Sequence, residues 1–175
     1  LDEEKTPDQL SKGMKIKFQL AFVLANHPKL LLLDEPTGGL DPIFRQEFLG
    51  ILQGLVEEEN MGVIISTHIT TDLDKIADYI MILDKGKMIS LSTKEELMDE
   101  YRLIKGPREI LRSLPKEIFI SVKSTNSGFE GLAHHSKKIA GQEEWLHKIV
   151  IENPDLSDIL YYLTQTSYPK ISGSS

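Results

Sequence analysis

The sequence of 175 residues contains no cysteine. That excludes a disulfide framework and a thiolate-bound metal, and it suits a reducing compartment. Long hydrophobic runs are missing as well. Leu20–Ala25 and Leu30–Leu33 are separated by Asn26, His27, Pro28 and Lys29, so neither approaches the roughly 20 residues needed to span a bilayer as a helix. Aromatic residues make up only 7%, and the single Trp145 lacks the interleaved basic and aromatic neighbours of a base-stacking surface, so it reads as core. Positive charge is in deficit, with 20 Lys and Arg against 27 Asp and Glu and a net charge of −7. This balance opposes a surface built to neutralise phosphodiester backbones or anionic lipid, and no nucleic-acid partner is expected. The opening Leu1-Asp2-Glu3-Glu4-Lys5 has neither an initiator Met nor a basic-then-apolar signal layout, and it reads as a chain entered midway.

What is present is an ordinary globular composition, 40% hydrophobic and 27% charged, so the fold must be sought in pattern. Ser11 precedes a dense apolar stretch from Met14 to Leu24 that stops at Asn26 and Pro28, which predicts a largely buried helix. Leu30–Leu33 turns acidic at Asp34-Glu35 and ends at Pro36, as a central parallel strand covered on both faces does. Asp41-Pro42 then supplies an N-cap and first-turn proline for an amphipathic helix through Phe44, Phe48, Ile51, Leu52 and Leu55. Val63-Ile64-Ile65 forms a second apolar run leading into Ser66-Thr67-His68, with a short helix expected after a cap at Thr71 to Asp74.

Tyr79–Leu83 and Met88–Leu91 flank Asp84-Lys85-Gly86-Lys87 and predict a hairpin. Thr93 with Glu96 predicts another capped helix. Beyond about Tyr101 the texture changes to short strands at Phe119–Val122 and Leu146–Ile151, polar loops and a final helix marked by Asp155, Leu156, Ile159, Leu160 and Leu163. Residues Ile171 to Ser175 read as a frayed tail. The whole is an α/β layer architecture over residues 1–100 followed by a small α+β appendage over 101–175.

Two adjacent carboxylates delivered by an aliphatic strand to a sheet edge are costly unless a cation or a proton-accepting task waits there. A hydrated Mg²⁺ on a nucleotide's phosphates meets that requirement, with Asp34 facing the metal and Glu35 an attacking water. Leu10-Ser11-Lys12-Gly13-Met14 places a hydroxyl and free N–H groups at a helix start, which is either a plain N-cap or a seat for phosphate. His68 at a strand end is either a half-buried structural histidine or a phosphate contact. His27, His134, His135 and His147 have no spacing suited to a metal site, and Glu57-Glu58-Glu59 reads as a solvated charge run.

The order of these elements resembles that of the ATP-binding cassette ATPases. Leu10–Met14 resembles the family's signature, usually Leu-Ser-Gly-Gly-Gln. Leu30–Glu35 resembles its Walker B strand and catalytic carboxylate, Gly38-Gly39-Leu40-Asp41 its D-loop, and His68 its switch histidine. The resemblance covers Leu10 to Leu97 closely and implies the C-terminal part of a P-loop NTPase (RecA-like) core. It further implies that Asp34 holds Mg²⁺, that Glu35 is the general base, and that His68 contacts the γ-phosphate. Ser11 and Gly13 would contact ATP held mainly by a second ATPase subunit, with Asp41 across the same interface. A transmembrane permease subunit is the other implied partner, which places the protein at the cytoplasmic face of a membrane. The appendage resembles that of the subgroup exporting drugs, peptides or antibiotics.

Some positions depart from the pattern. Lys12 and Met14 replace a Gly and the Gln of the signature, and Gly38 stands where the D-loop commonly has Ser. No segment fits the phosphate-binding Gly-x-x-x-x-Gly-Lys-Ser/Thr, because Gly86-Lys87 is followed by Met88 and Met81 occupies the place of the first Gly. Three functions fit these observations: a transporter ATPase, a non-catalytic or regulatory cassette fragment, and a cassette of the kind used in chromosome maintenance or DNA repair. The acidic balance and lack of heptads oppose the third. Glu35 and His68 oppose the second, since a cassette that only bound nucleotide has no chemical need of a base. For the isolated chain, without a phosphate loop, no hydrolysis is expected.

Overall fold

The computed structural model describes residues 10–125, 127–135 and 147–165. Trp145, the start of the strand expected at Leu146, and Ile171–Ser175 lie outside them. The chain divides into two compact units, Leu1–Ile76 and Ala77–Ser175.

In the first unit, α1 (Lys12–Leu24) starts at the Ser11 N-cap, whose side chain accepts the Met14 N–H. β1 (Leu30–Asp34) follows, then α2 (Pro42–Glu57), capped by Asp41 with Pro42 in its first turn as the sequence predicts. β2 (Gly62–Ser66) pairs parallel with β1 in a register running from Leu30 opposite Gly62 to Asp34 opposite Ser66. Parallel neighbours need a crossover of a dozen or more residues, and α2 provides it. α3 (Thr70–Ile76) completes the unit, starting one residue earlier than its expected cap.

Strand alternation decides where the core lies. Leu31 and Leu33 of β1 and Val63 and Ile65 of β2 point to one face, where they pack with Leu20, Phe48, Leu52 and Met61. Leu32 and Ile64 point to the other and are 71% and 58% exposed. The expectation of two-sided burial is thus corrected: in the described residues, helices cover one face only. The same holds for α1, expected to be largely buried, whose Phe22 is 69% exposed. Its inner side is instead fixed by a close approach to α2. A Cβ built on Gly13 would fall 2.6 Å from the Phe44 ring, so glycine is what lets the two helix starts meet. Lys17 continues the contact, with its ammonium over the Phe44 ring at 4.5 Å and 2.7 Å from Glu47.

In the second unit, β3 (Tyr79–Asp84) and β4 (Lys87–Thr93) form the expected antiparallel hairpin. Lys85 and Gly86 both have positive φ, 48° and 75°, as a tight turn matched to strand twist requires. α4 (Lys94–Glu100) carries the Thr93–Glu96 capping box. β5 (Tyr101–Gly106), the short α5 (Arg108–Leu111), β6 (Phe119–Ser124), β7 (Phe129–His134), β8 (Val150–Glu152) and α6 (Leu156–Thr164) follow. The strands make an antiparallel sheet in the order β6-β7-β5-β8. Its core gathers Ile104, Ile110, Leu114, Phe119, Val122 and Phe129. On α6, Tyr162 is buried and its hydroxyl donates to Glu130 Oε1 at 2.8 Å. Burial, then that carboxylate, push the Tyr162 phenol far above its usual range.

Two predictions follow from exposure and packing. The 175-residue chain should bind a hydrophobic dye and self-associate in sedimentation, because each large aliphatic left in water forgoes roughly 1.5–3 kcal/mol of burial. Leu32→Lys with Ile64→Lys should suppress both; an unchanged sedimentation profile in that variant would discount the exposed face. Gly13→Ala should lower stability by about 1–3 kcal/mol through overpacking against Phe44, and Phe44→Leu in addition should recover part of it in denaturant titrations.

Candidate functional site

The first unit places its candidate residues at the C-terminal ends of β1 and β2, where parallel sheets present their functional loops. Asp34 ends β1 opposite Ser66, and the Ser66 hydroxyl donates to Asp34 Oδ1 at 2.5 Å. One residue further on, the Glu35 N–H donates to the Ser66 carbonyl at 2.8 Å, so the ladder holds the chain up to the second carboxylate. There the backbone turns. Glu35 has φ 44°, a left-handed conformation that a Glu before proline adopts at a cost of roughly 1–3 kcal/mol.

That turn directs the Glu35 side chain onto the segment leaving β2. Its Oε1 accepts the His68 N–H at 3.1 Å and lies 2.7 Å from His68 Nδ1. The Thr67 hydroxyl reaches Oε2 at 3.4 Å and accepts the Ile69 N–H at 3.0 Å. An ionised carboxylate only accepts, so the proton of this pair sits on Nδ1. The ring therefore offers Nε2 outward: a lone pair when the imidazole is neutral, an N–H donor when it is protonated. His68 is exposed and Glu35 half-exposed, open to a ligand while held by each other.

Asp34, Glu35 and His68 are thus brought together. Ser11, Gly13 and Asp41 form a second group, at the adjoining starts of α1 and α2. The Ser11 side chain caps Met14 and the Asp41 side chain accepts the Phe44 N–H at 3.0 Å, while Gly13 rests on Phe44. The turn over residues 35–41 connects the groups, with Gly38 N–H donating to Glu35 O and Leu40 N–H to Thr37 O, both at 3.2 Å. Lys12 ties α1 to this turn, its ammonium donating to the Gly38 carbonyl at 2.6 Å. Gly39 has φ 70°, and a Cβ there would lie 2.8 Å from the Lys12 ammonium.

Sequence reasoning assigned no role to Ser66, Thr67, Thr37 or Asp72. Ser66 and Thr67 could have been found, since hydroxyls flanking a histidine at a strand end are natural orienting groups for nearby carboxylates. The Thr37 to Asp72 hydrogen bond joins residues 35 apart, and no local pattern announces it. Among the described residues no group of three or more His, Asp or Glu side chains gathers into a metal cage. No helix among them is long and apolar enough to cross a membrane.

Comparison with known proteins gives further bearings. A protein-family profile described as "AAA domain, putative AbiEii toxin, Type IV TA system" matches residues 2–73, less than half the chain. The Energy-coupling factor transporter ATP-binding protein EcfA2 of Ligilactobacillus salivarius is 39% identical over 103 residues, 59% of this chain and 36% of that protein. EcfA of Methanoculleus marisnigri is 37% identical over 115 residues, 66% of this chain and 42% of its own length. The chain therefore spans about two fifths of the curated relatives it matches. An inward-facing ABC transporter structure shares the fold over 73% of this chain and 49% of its own, with 24% identity and a TM-score of 0.50. Motif order, relatives and fold thus agree in one likeness: the chain is similar to part of the ATP-binding proteins of ATP-binding cassette transporters.

Proposed function

We propose that the whole protein is the ATP-hydrolysing subunit of a transporter, and that residues 1–100 contribute one half of each composite nucleotide site. A single observation carries this reading: Glu35, in a strained backbone conformation, is held by both the backbone N–H and the ring of His68. A carboxylate and an exposed histidine so arranged suit a general base beside a contact to a transferring phosphoryl group. Glu35 would take or polarise the proton of the hydrolytic water. His68 would present Nε2 to the γ-phosphate, its ring held in place by Glu35.

Mg²⁺ bound with ATP would supply charge neutralisation at the phosphates. Asp34 fits the task of holding it. Ser66 takes one carboxylate oxygen, which leaves the other to receive a metal-bound water.

Ser11, exposed at the helix start, and Gly13, buried against Phe44 in the first turn, would receive the γ-phosphate of ATP bound by a second ATPase subunit, and Asp41 would lie across that interface. Two ATP molecules would then be closed between two subunits, and the closure would drive a transmembrane permease from the cytoplasmic side of the membrane. Export is the finer part of this proposal. It rests on the resemblance of the appendage, residues 101–175, to that of exporters; the relatives named above are energy-coupling factor proteins. Transport assays in inside-out vesicles would decide it, since accumulation of substrate inside them requires the export direction.

The 175-residue chain alone should neither hydrolyse ATP nor bind it tightly, for it contains no phosphate-binding loop sequence. Calorimetry with Mg-ATP that returned a micromolar dissociation constant would contradict this. In the full-length protein, Glu35→Gln should cut turnover by about 10²–10⁴ while ATP binding survives, and Asp34→Asn should weaken both. Sharing of sites can be read from a mixed dimer with Ser11→Arg in one subunit and Glu35→Gln in the other. The damage from Ser11→Arg is expected at the nucleotide of the opposite subunit; damage at its own would exclude the composite site.

A further inference from the structure

One buried polar contact of the first unit takes no part in the scheme above. Thr37 is 1% exposed and Asp72 3%, yet both are polar. The Thr37 hydroxyl donates to Asp72 Oδ2 at 2.6 Å, and Arg45 Nη1 stands 4.0 Å from Asp72 Oδ1. A buried carboxylate is costly unless strong donors reach it. The hydroxyl is the close donor here and the guanidinium only a distant one. Arg45 Nε is itself buried without a hydrogen-bond partner, so in this geometry the guanidinium does not take the place of Thr37 as donor to Asp72.

The three residues come from three segments that matter separately. Thr37 lies in the turn that leaves Glu35, Arg45 in the first turns of α2, and Asp72 in α3, four residues beyond His68. On the sheet side, the ladder between β1 and β2 fixes Glu35 relative to Ser66. Past that Glu35 N–H bond the ladder ends. The Thr37–Asp72 bond ties the same two segments again past the strands, so that Glu35 and His68 are held between two anchors.

We propose that Thr37 and Asp72 are positioning residues, whose buried hydrogen bond holds the turn bearing Glu35 in register with the segment bearing His68. This rests on the ATPase reading only for its kinetic consequence, because the geometric consequence can be measured without turnover. Misplacement of a reacting group by about 1 Å can cost about 10²-fold in rate, so the kinetic effect should greatly exceed the change in nucleotide binding.

The test uses the full-length protein with Thr37→Val, Thr37→Ser and Asp72→Leu. Thr37→Val should lower kcat for ATP by about tenfold or more while KM moves far less, and Thr37→Ser, which keeps the hydroxyl, should restore kcat. Thr37→Val with Asp72→Leu should be no worse than the more damaged single variant, since both remove one interaction. In ¹⁵N-histidine spectra at fixed pH, the His68 Nδ1 resonance of Thr37→Val should move toward its position in Glu35→Gln, and that of Thr37→Ser should stay with the wild type. A Thr37→Val protein with wild-type kcat and an unmoved His68 resonance overturns the proposal, as does a Thr37→Ser protein as impaired as Thr37→Val. If Thr37→Val does not fold, the Thr37→Ser and Asp72→Leu spectra decide alone: a His68 resonance unmoved in Asp72→Leu overturns it. Wild-type protein without ATPase activity refutes the enzymatic reading and leaves the spectroscopic arm to judge the positioning.

Discussion

The parallel register of β1 on β2 sets where every candidate group can stand. With Leu30 opposite Gly62, the two strands end together at Asp34 and Ser66, and the carboxylate pair emerges beside the segment carrying His68. A slip of one residue would turn Leu31 and Leu33 away from the helices and Leu32 toward them, because side chains alternate along a strand. The hydrophobic core of the first unit and the polar edge above it are therefore specified by one pairing. The ladder reaches one bond further than the strands, to the Glu35 N–H on the Ser66 carbonyl, and the left-handed turn at Glu35 takes over from there.

Around that edge the chain uses backbone as much as side chains. Glu35 accepts from the His68 N–H as well as from its ring, so a rotation of the imidazole alone does not release the carboxylate. Thr67 restrains the same carboxylate while its oxygen is fixed by the Ile69 N–H. Hydrogen bonds to charged groups are shorter and stronger than neutral ones, and several converge on one exposed carboxylate here. In the proposed ATPase, such restraint would limit the reorganisation needed when a reacting group arrives.

Much of this was legible in the residues. Helix starts at Ser11, Asp41, Thr93 and Asp155 were marked by cap chemistry, which acts within three or four residues and so survives in any context. The hairpin about Lys85-Gly86 was legible for the same reason, its turn being local. Burial was less legible. Leu30–Leu33 has the composition of a strand covered on both sides, yet Leu32 is exposed among the described residues, because coverage depends on what else packs there and not on the strand itself. β5 and β7 escaped notice because a strand such as Phe129–His134, interrupted by Gly131, lacks a run of β-branched residues. The structure gives Gly131 a packing reason, since a Cβ there would fall 2.7 Å from the Phe119 ring. Of the site, the six motif residues were visible by order along the chain. Thr37 and Asp72 were not, because a threonine in a turn and an aspartate in a first helical turn are each explained locally, and only the folded chain shows them joined.

Lys12 and Gly38 depart from the family pattern separately in the sequence, and the structure sets them against each other. A glycine at 38 removes a hydroxyl from the turn and loosens its backbone, and the neighbouring Gly39 already has positive φ. The Lys12 ammonium donates to the Gly38 carbonyl, which restrains the turn from outside where the sequence has removed a restraint from within. A residue without a donor at position 12 could not make this bond. A charge-assisted bond to a carbonyl is worth roughly 1.5–3 kcal/mol when sheltered and less at an exposed site, enough to bias the conformation of a short turn. Because α1 begins at Lys12, this bond ties the start of that helix to the turn leading to Asp41.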